Sequence, residues 1–396
     1  MRYINCLSLF AAVLAGILSS SCARDAGEVM AEARKYLAEG KRQLAIETLY
    51  DNLDDRQLAD SAINIIMPAL SESVTARFFL FKNMEQMSVE VSPEHQMYSA
   101  VISDDGKHLV TSEGETQRVC VYSFPDMKLE CVINVPDYVF TARMDRDGKK
   151  VAAAAHNGNV YLYDFPSGEL DTALHTNDYS VRDIYFSKDG CLFTVSNDHS
   201  LSRFDYLSGE KLDKLTLHSR NVKDLSFSPD ETMLCTASND GSVQVLCYDG
   251  ENLDVNGRYI SIGDNYANAT AISPDKSFLV TGSGFGDLQF WNTSDHSFRS
   301  EINLDDPVLS VAVSPDGSKV AAGTSTHVYI IDAATCGKLY TIPVFGSDFW
   351  SVQFAGDSKL MFADRGSVYQ IQLPGTADVV AAGRAAYDQY KKEQTN

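Results

Sequence analysis

The sequence predicts an all-β fold, a seven-bladed β-propeller with a small N-terminal α-helical segment and a C-terminal helix. Three observations carry that expectation. A short turn centred on an aspartate recurs at Asp105, Asp147, Asp189, Asp230, Asp275, Asp316 and Asp357, with successive spacings of 42, 42, 41, 45, 41 and 41 residues. Each period holds strand-like segments of alternating or β-branched character, as in VKDLSFS, MLCTAS and VQVLCY. Polar turns such as SNDGS, HNGN and YLSGE separate them. Four short strands per repeat describe one blade, and seven repeats describe a closed ring.

The chain opens MRYINCLSLFAAVLAGILSSSC: one basic residue, an apolar run from Leu7 to Leu18, then small residues. That is the grammar of a secretion signal. The run is short for a membrane-spanning helix. Its end at Ser19-Ser20-Ser21-Cys22 resembles a bacterial lipoprotein signal, which implies a signal and lipobox over residues 1–22 and lipidation of Cys22. Ser19 stands where such signals usually carry leucine, with Leu18 one place further back. Simple secretion, and an uncleaved anchor or a cytosolic start, are the other readings. A lipid would tether the protein to a membrane without inserting it. The expected location is the bacterial cell envelope, anchored at the outer membrane on its periplasmic or surface side.

Residues 23–76 read as helical. AEARKYLAEGKRQLAIETLYDNL has apolar residues at helical spacing, Gly40 separates two segments, and the small Ala33 and Ala45 suit a close approach. The pair resembles a single tetratricopeptide-type hairpin, followed by a third helix from about Gln57 to Leu70. A lone unit of that kind cannot bury its apolar face. It is expected to pack on the main domain or to offer a groove to a partner. A spacer with helical propensity is the competing reading. Phe78-Phe79-Leu80-Phe81 fits either a strand or a helix end, and residues 377–396 read as a helix that frays into a charged tail.

The propeller is assigned to residues 85–374. Its last unit supplies three strands, and MEQMSVEV before the first turn can add the fourth, so that both chain ends close the ring. Closure removes an exposed edge strand. The best unit, His218 to Tyr248, has a histidine before its first strand, Ser238 near the end of its second and Asp240 in the next turn. On these residues the region resembles the WD40-repeat family. The resemblance implies a hydrogen-bonded tetrad of His218, Ser238 and Asp240 with a tryptophan that Leu246 replaces here. The preceding unit offers His175, Ser196 and Asp198, with Phe204-Asp205 in place of Trp-Asp. The following unit keeps Trp291 but has Phe285 where the aspartate is expected. No unit has the whole tetrad, so these repeats are divergent.

No motif for catalysis, phosphate binding or metal ligation is present. The eight histidines scatter over different units without ligand spacing, and no C-x-x-C occurs. No cofactor or metal is expected. Cys120 with Cys131, and Cys235 with Cys247, fall nearly opposite in the expected hairpins; an envelope disulfide or plain packing of small apolar residues fits both pairs. A net charge of −21 without a basic stripe argues against nucleic-acid binding.

Positive signals lie in the loops before the first strands. Asp137-Tyr138, Asp178-Tyr179, Asn265-Tyr266, Asp305-Asp306 and Asp348-Phe349-Trp350 place acids beside aromatics. On a ring these gather on one face. The expected binding face is Tyr138, Tyr179, Tyr266, Asp306, Phe349 and Trp350, suited to proteins or peptides because rings supply contact area at low entropy cost. The competing reading packs the rings between blades and uses the acids to cap turns. The expected function is a non-catalytic scaffold tethered by its lipid. The alternatives are a propeller enzyme or small-ligand sensor that uses the channel, and an assembly factor for outer-membrane proteins.

Overall fold

The structure, a computed structural model, describes residues 24–61, 65–66, 86–90, 96–255, 259–263, 265–342 and 348–395. Cys22 and its signal, Phe78-Phe79-Leu80-Phe81 and most of the far end of the expected third helix lie outside the described residues. The chain divides into two compact units: Met84–Leu373, and Met1–Asn83 with Pro374–Asn396.

Seven antiparallel sheets build the first unit. Blade 1 runs Met97–Ile102, His108–Glu113, Arg118–Ser123 and Leu129–Asn134 from channel to rim. The inner strands of blades 2 to 7 are Val139–Met144, Val181–Phe186, Val222–Phe227, Ala267–Ile272, Val308–Val313 and Ser351–Phe354. Each touches the next, and Ser351–Phe354 returns to Met97–Ile102. Blade 7 takes its outer strand from upstream: Gln86–Glu90 pairs antiparallel with Ser367–Gln372, setting Val89 opposite Val368. The ring is zipped by its two ends, as the sequence predicts. In blade 4 the outer strand is split into Leu253–Asp254 and Tyr259–Ser261, both paired with Ser242–Tyr248. That split absorbs the extra residues of the 45-residue spacing.

In blades 1, 4, 5 and 6 the recurring aspartates fix the first hairpin in one way. Asp316 accepts the Ser314 hydroxyl at 2.6 Å and the Ser318 backbone N–H at 2.9 Å. Asp105, Asp230 and Asp275 repeat both contacts. Blade 2 differs: Asp145, in the serine's place, accepts the N–H groups of Lys149 and Lys150 itself. Behind these turns the blades stack through dry faces. Val151, Ala153, Tyr161 and Tyr163 of blade 2 pack on Val110, Val119 and Val121 of blade 1. Each fully buried aliphatic side chain contributes about 1.5–3 kcal/mol.

None of the described cysteines is bonded to another. Cys120 faces Val132 and Cys131 faces Val121, which puts the two thiols on opposite faces of their sheet. Cys235 and Cys247 are set diagonally, Cys235 opposite Val245 and Cys247 opposite Met233. The nearly opposite placement expected from sequence is off by one pairing step in the first hairpin and by two residues in the second.

In the helical unit, α1 (Ala26–Ala38) is capped by Asp25 and packs on α2 (Arg42–Asn52) through Val29, Ala33, Ala45 and Leu49, all fully buried. A short α3 (Asp55–Ser61) follows. The apolar face left over is covered by α4 (Thr376–Thr395). Tyr50 donates to the Val380 carbonyl at 3.0 Å and stacks on Tyr387 at 5.7 Å, and Arg384 bonds Asp55 at 2.6 Å. The C-terminal segment does not fray as expected. It stays helical to Thr395, held by these contacts and by Lys391 on Asp51.

Candidate functional site

Every inner strand of blades 1 to 6 begins with an irregularity. Pairing with the second strand slips between Met97 and Ser99, Val139 and Thr141, Val181 and Asp183, Val222 and Asp224, Ala267 and Ala269, and Val308 and Ser310. A bulge leaves one residue unpaired and re-aims its side chain. The residues so released are Tyr98, Phe140, Arg182, Lys223, Asn268 and Leu309. All six line the central channel, with Trp350 in the matching place on blade 7. The channel has a volume of about 740 Å³.

Around the ring these seven form arcs. Trp350, Tyr98 and Phe140, from blades 7, 1 and 2, make an aromatic arc: Tyr98 lies 6.0 Å from Trp350 and 6.2 Å from Phe140, ring to ring. Tyr138 joins it at 5.4 Å from Tyr98 and 4.9 Å from Phe140. The Tyr138 ring fits because residue 114 is glycine; a Cβ there would stand 2.5 Å from the ring. Blades 3 and 4 continue with two cations. The Arg182 guanidinium lies over Phe140, 3.9 Å from the ring centroid. Its Nε is buried without a hydrogen-bond partner. Among the described residues Lys223 Nζ meets no acceptor. Burial, reinforced by Arg182, pushes Lys223 down to about 8.

One position deeper stand Asp183 and Asp224, which brace neighbouring blades. Asp183 accepts the Leu225 backbone N–H at 3.3 Å and pairs with Arg143 at 3.4 Å. Asp224 accepts the N–H and hydroxyl of Thr270 at 2.7 and 2.9 Å. Ser99 does the same for Ala142 at 3.3 Å. Burial, with the Asp183 charge adding to it, pushes Asp224 up to about 7. These acids are committed to backbone donors, and no histidine is among the channel-lining residues. The channel wall therefore presents ring faces and positive charge.

The face expected from sequence is partly assembled. Trp350 and Tyr138 join the aromatic arc. Tyr179 and Tyr266 are exposed (66% and 44%), and Tyr266 leans on Phe285 at 6.3 Å. Asp306 is half-buried and accepts the Thr326 hydroxyl. Phe349 is a correction: it is fully buried against Phe362, and its backbone bonds Thr324 and Ser310. Tyr98, Phe140, Arg182, Lys223 and Asn268 were missed. Each stands seven residues before its turn aspartate, as Tyr98 does before Asp105 and Lys223 before Asp230, so aligning the repeats would have shown them.

The tetrad also needs correction. In blade 4, His218 bonds Thr236 at 2.8 Å through Nε2, and Ser242 and Asp240 at 3.1 and 3.2 Å through Nδ1. Burial lowers its pKa. The hydroxyl partner is thus Thr236. Ser238 instead ties the Asp240 N–H to the Arg220 carbonyl, and Ser196 likewise ties Asp198 to Tyr179. In blade 3 the hub is Asn177, bonded to Thr194, Ser200 and Asp198. His175, two residues before Asn177, is held out of that pocket by the outer strand of blade 2, where it is exposed and paired with Asn159 at 2.9 Å. Against burial, which opposes it, the Ser200 hydroxyl and Lys214 hold Asp198 at about 2. In blade 5, Trp291 donates to Thr281 at 3.2 Å, and Asn265 bonds Asp287 in place of the carboxylate absent at Phe285.

A closed seven-bladed propeller with a lined channel is a binding architecture. A family model described as WD domain, G-beta repeat matches residues 209–245. That span begins at the outer strand of blade 3, Glu210–Thr216, and ends within Ser242–Tyr248, the third strand of blade 4, so one sequence repeat bridges two blades. The chain is thus a seven-bladed β-propeller in which at least one repeat is of the WD40 type.

Proposed function

We propose that this chain is a non-catalytic protein-interaction scaffold of the bacterial cell envelope, tethered to the outer membrane through a lipid on Cys22. Its binding face is the channel mouth and the loops around it. One observation carries the reading: six consecutive blades spend a bulge on aiming one side chain at the channel, and the resulting ring groups aromatics beside cations. Bulges re-aim side chains where binding is needed. Aromatic and arginine side chains dominate the energetics of protein interfaces. The tether is assigned to the lipobox because the apolar run from Leu7 to Leu18 leads into Ser19-Ser20-Ser21-Cys22. The test is a photo-crosslinking residue at Leu309, in the ring, in the native membrane-tethered protein. A discrete protein adduct that disappears in Tyr98→Ala and Trp350→Ala is expected. An adduct indifferent to both, or turnover of a small molecule that depends on the channel, overturns the reading.

A further inference from the structure

The two channel cations stand apart from the protein's other inward-facing ones. Arg143 has Asp183, Arg203 has Asp213, and Arg146 has Asp104 and Glu231. Arg182 has the Phe140 face for its plane and, like Lys223, no carboxylate within ion-pair distance among the described residues. In a chain of net charge −21 acids are plentiful, yet among the described residues none lies within ion-pair distance of either cation; Asp183, the acid that acts on Arg182, is paired with Arg143. Partly desolvating two neighbouring cations without an anion is costly. The fold retains them at the mouth of a channel open to ligand.

We propose that the channel mouth recognises the C-terminal carboxylate of a partner protein, gripped by Arg182 and Lys223, with the terminal apolar side chain laid on Trp350, Tyr98 and Phe140. This rests on the scaffold reading and specifies its ligand. The stacked guanidinium of Arg182 presents its planar edge for bidentate carboxylate bonding. Next to Lys223 in the ring, Asn268 donates through Nδ2 to the Val308 carbonyl at 3.0 Å. Its Oδ1 is left to accept a ligand N–H. A chain terminus offers that N–H, a carboxylate and a side chain within one residue, and enters a narrow channel end-on.

The test uses the full-chain protein in detergent and native mass spectrometry. Three pools of N-acetylated tetrapeptides are compared: free acids ending in Phe, Leu or Tyr, the matching C-terminal amides, and amides carrying an internal Glu. The free-acid pool is expected to bind, and the amides about ten- to a hundredfold more weakly. Arg182→Gln and Lys223→Gln should each erase the acid-over-amide preference while the melting temperature holds or rises. Equal binding of acids and amides overturns carboxylate recognition and leaves the scaffold reading intact. Preference for the internal-Glu pool overturns the assignment to a chain terminus. If no pool binds while the Leu309 crosslink persists, this inference alone fails; absence of the crosslink as well sinks the scaffold reading.

Discussion

The Asp224 carboxylate reaches from blade 4 to blade 5 and accepts both the backbone N–H and the hydroxyl of Thr270, at 2.7 and 2.9 Å. An inner strand turns its free edge toward the channel, and a side chain from the preceding blade satisfies one N–H of that edge. The contact is structural, but the carboxylate is buried and faces Asp183, with Arg143 the nearest opposing charge. Both effects disfavour its ionised form and raise its pKa to about 7, with burial the larger. The folded protein therefore holds a proton on Asp224 at pH values where the unfolded chain has released it. From pH 7 down to about 4, protonation relieves a cost that only the folded state bears, and this group's contribution to stability rises. Below about 4 both states are protonated and the gain is complete. Asp224→Asn keeps an acceptor for Thr270 and removes the charge. It is expected to be at least as stable as wild type at pH 8, and the difference should vanish near pH 4. Denaturant melts across that range would read it, and a variant less stable at pH 8 would contradict the account.

His218 gathers Thr236, Asp240 and Ser242 around one ring. Asn177 performs the same task in blade 3 with Thr194, Asp198 and Ser200. Substituting His218 with alanine strands three buried polar groups and should cost about 1–3 kcal/mol. His218→Asn should recover part of that loss, because blade 3 shows that an amide suits the geometry. Burial lowers the His218 pKa, so below pH 6.5 the unfolded chain takes up a proton that the folded one resists. This group's contribution therefore falls with acidification, opposite in sign to that of Asp224. His218→Asn should remove the acid slope, as urea melts at pH 7 and 5 would show.

What could be read from the residues divides along local and non-local chemistry. The blade count was legible because Asp316 and its counterparts close their turns with atoms a few residues away. The ring of channel residues was not, although Tyr98, Arg182 and Trp350 keep one offset from those turns. A bulge is a property of pairing, and alternation alone cannot say which residue is released. The tetrad failed for a related reason. Thr236 and Ser238 share one face of a strand two residues apart, and only the loop's position selects Thr236. Asn177 displaced His175 because the outer strand keeps His175 opposite Asn159. The partner of the helical hairpin lies some 330 positions away, at Val380, where no local pattern points to it.

The lipobox reading makes a simple demand. If Cys22 carries the lipid, Cys22→Ser should move the protein from the detergent phase to the aqueous phase in a cloud-point partition. The change should leave the propeller's melting transition unaltered. A Cys22→Ser protein that still partitions with detergent would place the tether elsewhere.

The helical unit offers the last test, at Gly383. A Cβ at this position of α4 would stand 2.0 Å from the Tyr50 hydroxyl, which is held by the Val380 carbonyl. The hydroxyl is pinned and its ring is stacked on Tyr387, so the crowding cannot be relieved by a small rotation. Gly383→Ala adds a residue that favours helix by about 1 kcal/mol. Overpacking costs typically about 1–3 kcal/mol, and the lost Tyr50 bond adds to that. The net outcome expected is destabilisation of this unit, with the propeller melting as before. Pairing Gly383→Ala with Tyr50→Phe removes the clashing oxygen but leaves the ring carbon 2.7 Å from the new Cβ, and should restore only part of the loss. Limited proteolysis at the chain ends would separate the cases: faster cleavage in Gly383→Ala, slower again in the double variant. Unchanged cleavage in the single variant would mean that α4 does not seat on Tyr50 as described.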